Sequence, residues 1–372
     1  MVKRSVTPFI NEYLQEKIVL LSGPRQVGKT YLSKNLSQAI QYFNFDSIES
    51  RREMMEKSWL RDGSLVVFDE VHKMRKWKQW LKGIYDTERQ KNQILVTGSA
   101  MLETFKKAGD SLAGRHFSVR LMPFSLREIA PIKPKACIDQ ISKLGSFPEP
   151  FLGGNERKAA LWRRSHLDVI LRQDIVSQES FRDISSIETL VELLSHRVGQ
   201  GISYQNLAAE LSTSAQTVKR WIRLLESYYV IFSIHPYVKN VAEALKKEPR
   251  IFFYDVGRVR SDEGFKLENI VALHLLKRNF FLEDTQGVRA RLCYLRDKKK
   301  REVDFAIEVN NQLTHLIEVK NSDDGFNPSL NYFSLRLKPK CAYQIVLNLK
   351  KEKEFENFKV VDLCDFLMNL ET

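Results

Sequence analysis

Short, nearly uninterrupted apolar runs open the chain at residues 17–22, 65–68 and 93–97, with polar stretches of helical length between them. Runs of four to six apolar positions are the mark of strands covered on both faces of a parallel sheet. Residues 31–39 are expected to form a helix after the first run. Trp77, Trp80, Leu81, Ile84 and Tyr85 recur at helical spacing and predict a helix packed on the sheet. Across residues 159–233 the period is helical, and after Pro249 it changes to strands with one helix. The expected class is α/β in three domains: a doubly wound sheet domain over 1–130, a helical linker and helix-turn-helix domain over 131–245, and a second α/β domain over 246–372.

Length and composition agree with this division. A chain of 372 residues with 43% hydrophobic content exceeds one ordinary core and can fill several. No stretch approaches the roughly 18 consecutive apolar residues of a membrane span, and Met1-Val2-Lys3-Arg4 leads into no apolar signal core, so a cytoplasmic protein with no membrane partner is expected. Cys137, Cys293, Cys341 and Cys364 are scattered without metal-ligand spacing and read as reduced thiols. A formal charge of +13 and a pI near 9.4 favour a polyanionic partner, with DNA ahead of other choices.

Directly after the first apolar run stand Gly23, Pro24, Arg25, Gln26, Val27, Gly28, Lys29 and Thr30. This is a phosphate-binding loop between a strand and a helix. Its glycines let the backbone curl so that successive N–H groups face the phosphates of ATP. Lys29 is expected to reach the β and γ phosphates and the Thr30 hydroxyl to ligate Mg²⁺, with Tyr31 closing the set of nucleotide contacts. The second apolar run ends in Asp69 and Glu70, which places both carboxylates at a strand tip. Asp69 is expected to hold the metal and Glu70 to orient the attacking water. The third run ends in Thr97, Gly98 and Ser99; Thr97 or Ser99 serves either as a γ-phosphate sensor or as part of a plain turn.

In the central segment, Ser203 caps a short helix and Ser214 caps a second one that buries Val218, Trp221, Ile222 and Leu225. Residues 230–234 are expected as a wing strand. Lys219, Arg220 and Arg223, with Gln216, face either a phosphate backbone or only a neighbouring protein surface.

Residues 302–309 and 313–320 alternate and flank Asn310, Asn311 and Gln312, which predicts a hairpin. With a three-residue loop Val309 pairs with Leu313, so Asp304 stands opposite Glu318 and Lys320 opposite Glu302. Two carboxylates on one face with a lysine beside them suit Mg²⁺-assisted phosphodiester cleavage, and equally suit a solvated salt-bridged face. Lys298, Lys299, Lys300 and Arg301 just upstream guide a backbone or form a solvated turn.

The ordered set Gly-Pro-Arg-Gln-Val-Gly-Lys-Thr, Val-Phe-Asp-Glu-Val, Leu95 to Ser99, Leu112-Ala113-Gly114-Arg115 and Leu121-Met122-Pro123-Phe124-Ser125 resembles the prokaryotic AAA-superfamily ATPases fused to a C-terminal domain of unknown function related to restriction-endonuclease folds. The resemblance implies a winged helix in the central domain and an endonuclease-like C-terminal domain carrying the Asp…Glu-x-Lys motif at Asp304, Glu318 and Lys320. It further implies that Glu268 completes the metal site and that Arg115 reads the γ phosphate. An arginine acting across a subunit boundary would make the protein a homo-oligomer. His72 stands where the family commonly has glutamine. The expected function is an ATPase whose nucleotide state controls a Mg²⁺-dependent nuclease-like domain acting on nucleic acid; the alternative is an ATP-dependent switch whose nuclease-like domain is catalytically silent.

Overall fold

The computed structural model describes residues 2–88, 91–98, 112–129, 133–175, 183–238, 247–323 and 325–370. Ser99 and the expected boundaries at 130/131 and 245/246 lie on or beside residues outside this set. The chain divides into two compact units, Met1–Pro123 with Ser227–Tyr229, and Phe124–Glu226 with Val230–Thr372.

Within the first unit, β1 (Ile18–Ser22), β2 (Ile40–Asn44), β3 (Leu65–Asp69), β4 (Gln93–Thr97) and β5 (His116–Arg120) form a parallel sheet in the order β2-β3-β4-β1-β5. All five residues of β1 and β3 are buried, as continuous apolar runs require, whereas the edge strands β2 and β5 are mostly half-buried. The register sets Leu21 and Asp69 both level with Thr97, so the carboxyl ends of β1, β4 and β3 come out together at one edge. On the sheet lies the helix Trp77–Glu88, burying Trp77, Leu81 and Ile84, and Trp80 joins an edge-to-face cluster with Trp59 and Phe68. Its tryptophans are core, as the helical spacing predicts.

The helix after the phosphate loop is shorter than expected, Lys29–Ser33 rather than 31–39. Asn35 Nδ2 donates to Tyr31 O at 2.7 Å and Ala39 N donates to Ser37 Oγ at 3.3 Å. Such side-chain bonds offer the backbone an alternative to helix continuation.

The second unit begins with helices, among them Pro134–Leu144, Glu156–Val169 and Ile184–Ser195. Tyr204–Glu210 is capped by Ser203, whose side chain accepts from Asn206 N. Ala215–Ser227 follows a cap in which Ser214 Oγ accepts from Thr217 N at 3.0 Å, and it buries Val218, Trp221, Ile222 and Leu225. The segment 230–234, expected as a wing strand, is placed differently. Residues Ile231–Pro236 form β6, an inner strand of an eight-stranded sheet among the described residues, ordered β12-β13-β11-β10-β9-β8-β6-β7. Its burial leaves little polar edge to expose, so it pairs on both sides, with β7 (Arg250–Phe253) and β8 (Ala290–Arg296).

The sheet continues through β9 (Glu302–Val309), β10 (Gln312–Ser322), β11 (Cys341–Asn348), β12 (Lys353–Glu354) and β13 (Lys359–Asp362). The helix Glu263–Gln286 precedes β8, and Pro328–Leu337 connects β10 to β11, which run parallel. The β9–β10 hairpin departs from expectation at its tip. Asn310 and Asn311 both take left-handed backbone angles, φ 49° and 65°, forming a two-residue turn that pairs Val309 with Gln312 rather than Leu313. A bulge between Leu313 and His315 then absorbs one residue, so Phe305 meets Ile317 and the expected register is restored toward Asp304 and Glu318.

Candidate functional site

The phosphate loop is held open by backbone constraints that only its own residues meet. Gly23 has φ +139°, and a Cβ there would stand 2.2 Å from Leu121 O. Gln26 and Gly28 also lie at positive φ, 60° and 99°, curling the backbone between them. Lys29 is buried, and its ammonium donates to Gly23 O at 2.9 Å and Pro24 O at 2.7 Å, inside the loop. Arg4 braces the same loop from below, donating to Val27 O at 3.2 Å and to Met122 O.

Opposite the loop, Asp69 is the hub. Its Oδ2 accepts from Thr30 Oγ1 at 2.9 Å and from Tyr42 OH at 2.5 Å; its Oδ1 accepts from Thr97 Oγ1 and from Glu70 N at 3.1 Å. Burial, then the bond to Asp69, pushes the Tyr42 phenol well above its ordinary range. Glu70 takes a left-handed backbone, φ 58°, and its N–H also donates to Thr97 O at 3.0 Å. That turns the Glu70 side chain toward Lys73 Nζ at 3.3 Å and His72 Nε2 at 3.6 Å, while Lys73 reaches Asp46 at 2.6 Å. Burial lowers the His72 pKa, against the pull of Glu70, so His72 is neutral near neutral pH.

This arrangement fits a nucleotide triphosphate with its divalent cation. The loop presents glycine-lined backbone where a side chain would clash, an ammonium sits within it, and a hydroxyl and a carboxylate lie in contact beside it.

Arg115 does not lie beside the loop within this chain. It precedes β5 at the amino end of the strands, its carbonyl accepting from Ile18 N at 3.2 Å, whereas the loop leaves the carboxyl end of β1. Five strand residues, about 17 Å, separate the two ends. The Arg115 guanidinium instead pairs with Asp86 at 2.8 Å. At the loop edge it is Arg120 that stands level with Ser22.

In the second unit the hairpin brings Asp304 and Glu318 side by side. Glu318 Oε2 accepts from Asp304 N at 3.4 Å, and Asp304 Oδ2 accepts from Val319 N at 2.9 Å. Lys320 Nζ lies 2.8 Å from Glu318 Oε1, which also accepts from Asn327 Nδ2 at 2.5 Å. Burial, then the charges of Glu318 and Glu268, pushes the Asp304 carboxyl well above the usual range. Glu268, on the helix Glu263–Gln286, is raised to about 7 by burial, with Glu318 adding to it and Arg250 opposing. Burial works against the charge of Lys320, but Glu318 outweighs it and holds the ammonium above its ordinary pKa.

Two expectations change here. The face bearing the acids is not solvated: Asp304 and Glu318 are only 9% and 4% exposed. Nor do Glu268, Asp304 and Glu318 close into a metal cage, since among the described residues no three His, Cys, Asp or Glu side chains are grouped to hold a metal ion. The reason is local, because Asp304 is turned onto a backbone N–H and Glu318 onto Asn327 and Lys320.

Arg4 and Tyr42 are site residues that sequence reasoning missed. Neither carried a signal in the sequence: Tyr42 stands between Gln41 and Asn44 in a mixed segment, and Arg4 acts on residues far away in the chain.

Comparison with known proteins agrees with the first unit. Residues 15–130 match the AAA domain family, residues 138–266 a domain of unknown function (DUF8612), and residues 263–366 another (DUF4143). An uncharacterised protein of Mycobacterium tuberculosis, Rv2008c, is 25% identical over 305 residues, covering 79% of this chain and 68% of the relative. MJ1544 of Methanocaldococcus jannaschii, also uncharacterised, is 24% identical over 346 residues, covering 82% and 75%. Among solved structures, the Aeropyrum pernix ORC1 protein in complex with DNA aligns with TM-score 0.34 and 11% identity, covering 73% of this chain and 93% of that one. A signal-transduction ATPase with numerous domains from Pyrococcus horikoshii aligns with TM-score 0.25 and 14% identity, covering 76% and 45%. Motif, strand order and family match agree that residues 15–130 are a P-loop AAA-type ATPase domain that binds ATP. Among the described residues no helix is long and apolar enough to cross a membrane.

Proposed function

We propose that this AAA-type domain hydrolyses ATP with Mg²⁺ and that its nucleotide state governs a second unit directed at nucleic acid. The observation that carries the first half is the Thr30–Asp69 contact, which unites the phosphate loop with the acidic strand tip. In this reading the amides of residues 23–28 cradle the phosphates, and Lys29 leaves the carbonyls of Gly23 and Pro24 to meet the β and γ oxygens. Thr30 and Asp69 are the residues that would hold Mg²⁺, which supplies charge neutralisation on the phosphates. Glu70 orients the attacking water once it exchanges its pairing with Lys73. Arg115, half-buried and paired with Asp86, acts on a nucleotide only across a subunit boundary, which makes the working form a homo-oligomer.

Two observations favour different versions of the second half. Cleavage at Asp304, Glu318, Lys320 and Glu268 is supported by buried acids that raise one another's proton affinity, the environment of reactive carboxyls. Binding without cleavage is supported by the engagement of Asp304 with Val319 N, which must be given up before that carboxylate serves anything else. Contact with DNA is supported by the exposed Gln216 and Arg223 on the helix Ala215–Ser227. The domain division 1–130, 131–245 and 246–372 belongs to the same reading.

The test combines ATP turnover with plasmid nicking. Lys29→Ala is expected to abolish nucleotide binding, and Glu70→Gln to keep binding while lowering turnover by at least about 100-fold. Turnover unchanged in either variant contradicts the assignment. Asp304→Ala nicking plasmid as well as wild type, or neither protein nicking it, leaves the binding-only version.

A further inference from the structure

The hydrogen bonds to the Asp69 carboxylate divide evenly between its two oxygens. Oδ1 accepts from Thr97 Oγ1 and Glu70 N, and Oδ2 accepts from Thr30 Oγ1 and Tyr42 OH. A carboxylate offers about four acceptor sites in all, so this one is filled. Mg²⁺ or its hydration water can engage Asp69 only where one of these donors withdraws.

The donors differ in what withdrawal costs them. Thr97 is fully buried, on a strand paired directly with β3 and level with Asp69, so its hydroxyl has no solvent to turn to. Glu70 N–H also donates to Thr97 O at 3.0 Å, and it bonds Oδ1, the oxygen away from the phosphate-loop hydroxyl. Thr30 is that hydroxyl, and it lies on Oδ2 at 2.9 Å. Tyr42 is the other donor to Oδ2. It stands on β2, at the edge of the sheet, and is half-buried, so its hydroxyl can exchange Asp69 for water at little cost.

Tyr42 is also tied to the phosphate-loop helix. Lys34 Nζ sits 3.9 Å over its ring, and Lys34 closes the helix Lys29–Ser33 that carries Thr30. The two donors to Oδ2 are thus linked through one short helix as well as through the carboxylate.

We propose that Tyr42 is a positioning residue that competes with Mg²⁺, its phenol holding the acceptor site on Asp69 Oδ2 that the metal or its hydration water requires. This rests on the reading of Thr30 and Asp69 as the magnesium residues, and it adds the chain's own competitor for the same oxygen. Metal arriving without a triphosphate meets a filled carboxylate, so metal loading is tied to the nucleotide.

The experiment is calorimetric binding of a non-hydrolysable ATP analogue to the full-length protein, in EDTA and again in saturating Mg²⁺. Tyr42→Phe keeps the ring under Lys34 and removes only the hydroxyl. It binds the analogue as wild type does in EDTA and about tenfold more tightly in Mg²⁺, because a hydrogen bond to the carboxylate no longer opposes the metal. Damage to the fold does not produce a gain confined to Mg²⁺. Thr97→Val, which removes a donor from the other oxygen, gives no such gain. Tyr42→Met, equally unable to donate, repeats it, and thermal unfolding in EDTA reports whether each variant is folded. Affinities in Mg²⁺ equal to wild type for both Tyr42 variants overturn the proposal. So does weaker binding in Mg²⁺ by a Tyr42 variant that unfolds as wild type does, which makes the phenol a support of the metal site. An equal gain in Thr97→Val overturns it as well. Wild type that binds the analogue no better in Mg²⁺ than in EDTA removes the magnesium reading along with the proposal, and wild type that binds it in neither removes the ATP site. Wild type that gains affinity with Mg²⁺ while the Tyr42 variants gain no more leaves that reading standing and removes the competition alone.

Discussion

The Thr30 hydroxyl donates to Asp69 Oδ2 across 2.9 Å, tying the phosphate loop to a strand tip 39 residues further along the chain. Tyr42 and Thr97 donate to the same buried carboxylate from the two strands flanking β3. The nucleotide-binding geometry is therefore built in advance of the nucleotide, by one acceptor shared among three hydroxyl groups.

Replacing that acceptor separates metal chemistry from structure. Asp69→Asn keeps the shape and one oxygen but turns the other acceptor into a donor facing a hydroxyl, and it is expected to cost about 1–3 kcal/mol of stability. Asp69→Glu keeps the charge but moves it. Both should lose Mg²⁺-dependent ATP turnover while retaining some metal-free nucleotide affinity through Lys29, measured by calorimetric titration with and without Mg²⁺. Undiminished turnover in Asp69→Asn contradicts its role.

Gly23 is the loop position least able to change. Alanine there meets Leu121 O at 2.2 Å and must also hold φ +139°. Gly23→Ala is expected to shift the loop or lower stability by about 2 kcal/mol or more, with ATP affinity reduced in either case. Thermal unfolding alongside nucleotide titration checks this, and a variant equal to wild type in both rejects the steric argument.

His274 gives the second unit an acid limit. It is buried, with Nε2 accepting from Leu126 N at 2.9 Å and Nδ1 donating to Ile270 O at 2.7 Å, a pattern open only to the neutral ring. Burial lowers its pKa to about 4. The unfolded chain binds a proton below pH 6.5 that the folded one refuses, so this group's stabilising contribution is complete above 6.5 and is lost as pH falls toward 4. At pH 5 the loss is about 2 kcal/mol. Urea unfolding at pH 7.5 and pH 5 should show it in wild type and not in His274→Gln; equal pH slopes for the two proteins refute it.

Much of the ATP site is legible in the amino-acid order because its parts are contiguous. Eight loop residues follow one apolar run, and Asp69 and Glu70 end another. The hairpin acids are legible for a different reason, the two-residue period that puts Asp304 and Glu318 on one face. Its turn is not, because a bulge hides one residue from any count of alternation.

Local pattern by itself determined the three inner strands of the first sheet, the helix carrying Trp77, where the phosphate loop sits and which carboxylates end up at strand tips. Only the tertiary structure decided that β6 lies inside the C-terminal sheet, that Arg115 stands at the end of β5 away from the loop, and that Tyr42 and Arg4 belong to the site at all. Strand order and burial depth come from pairings between distant segments, and the free energy that selects those pairings belongs to the packed whole rather than to any window of the chain.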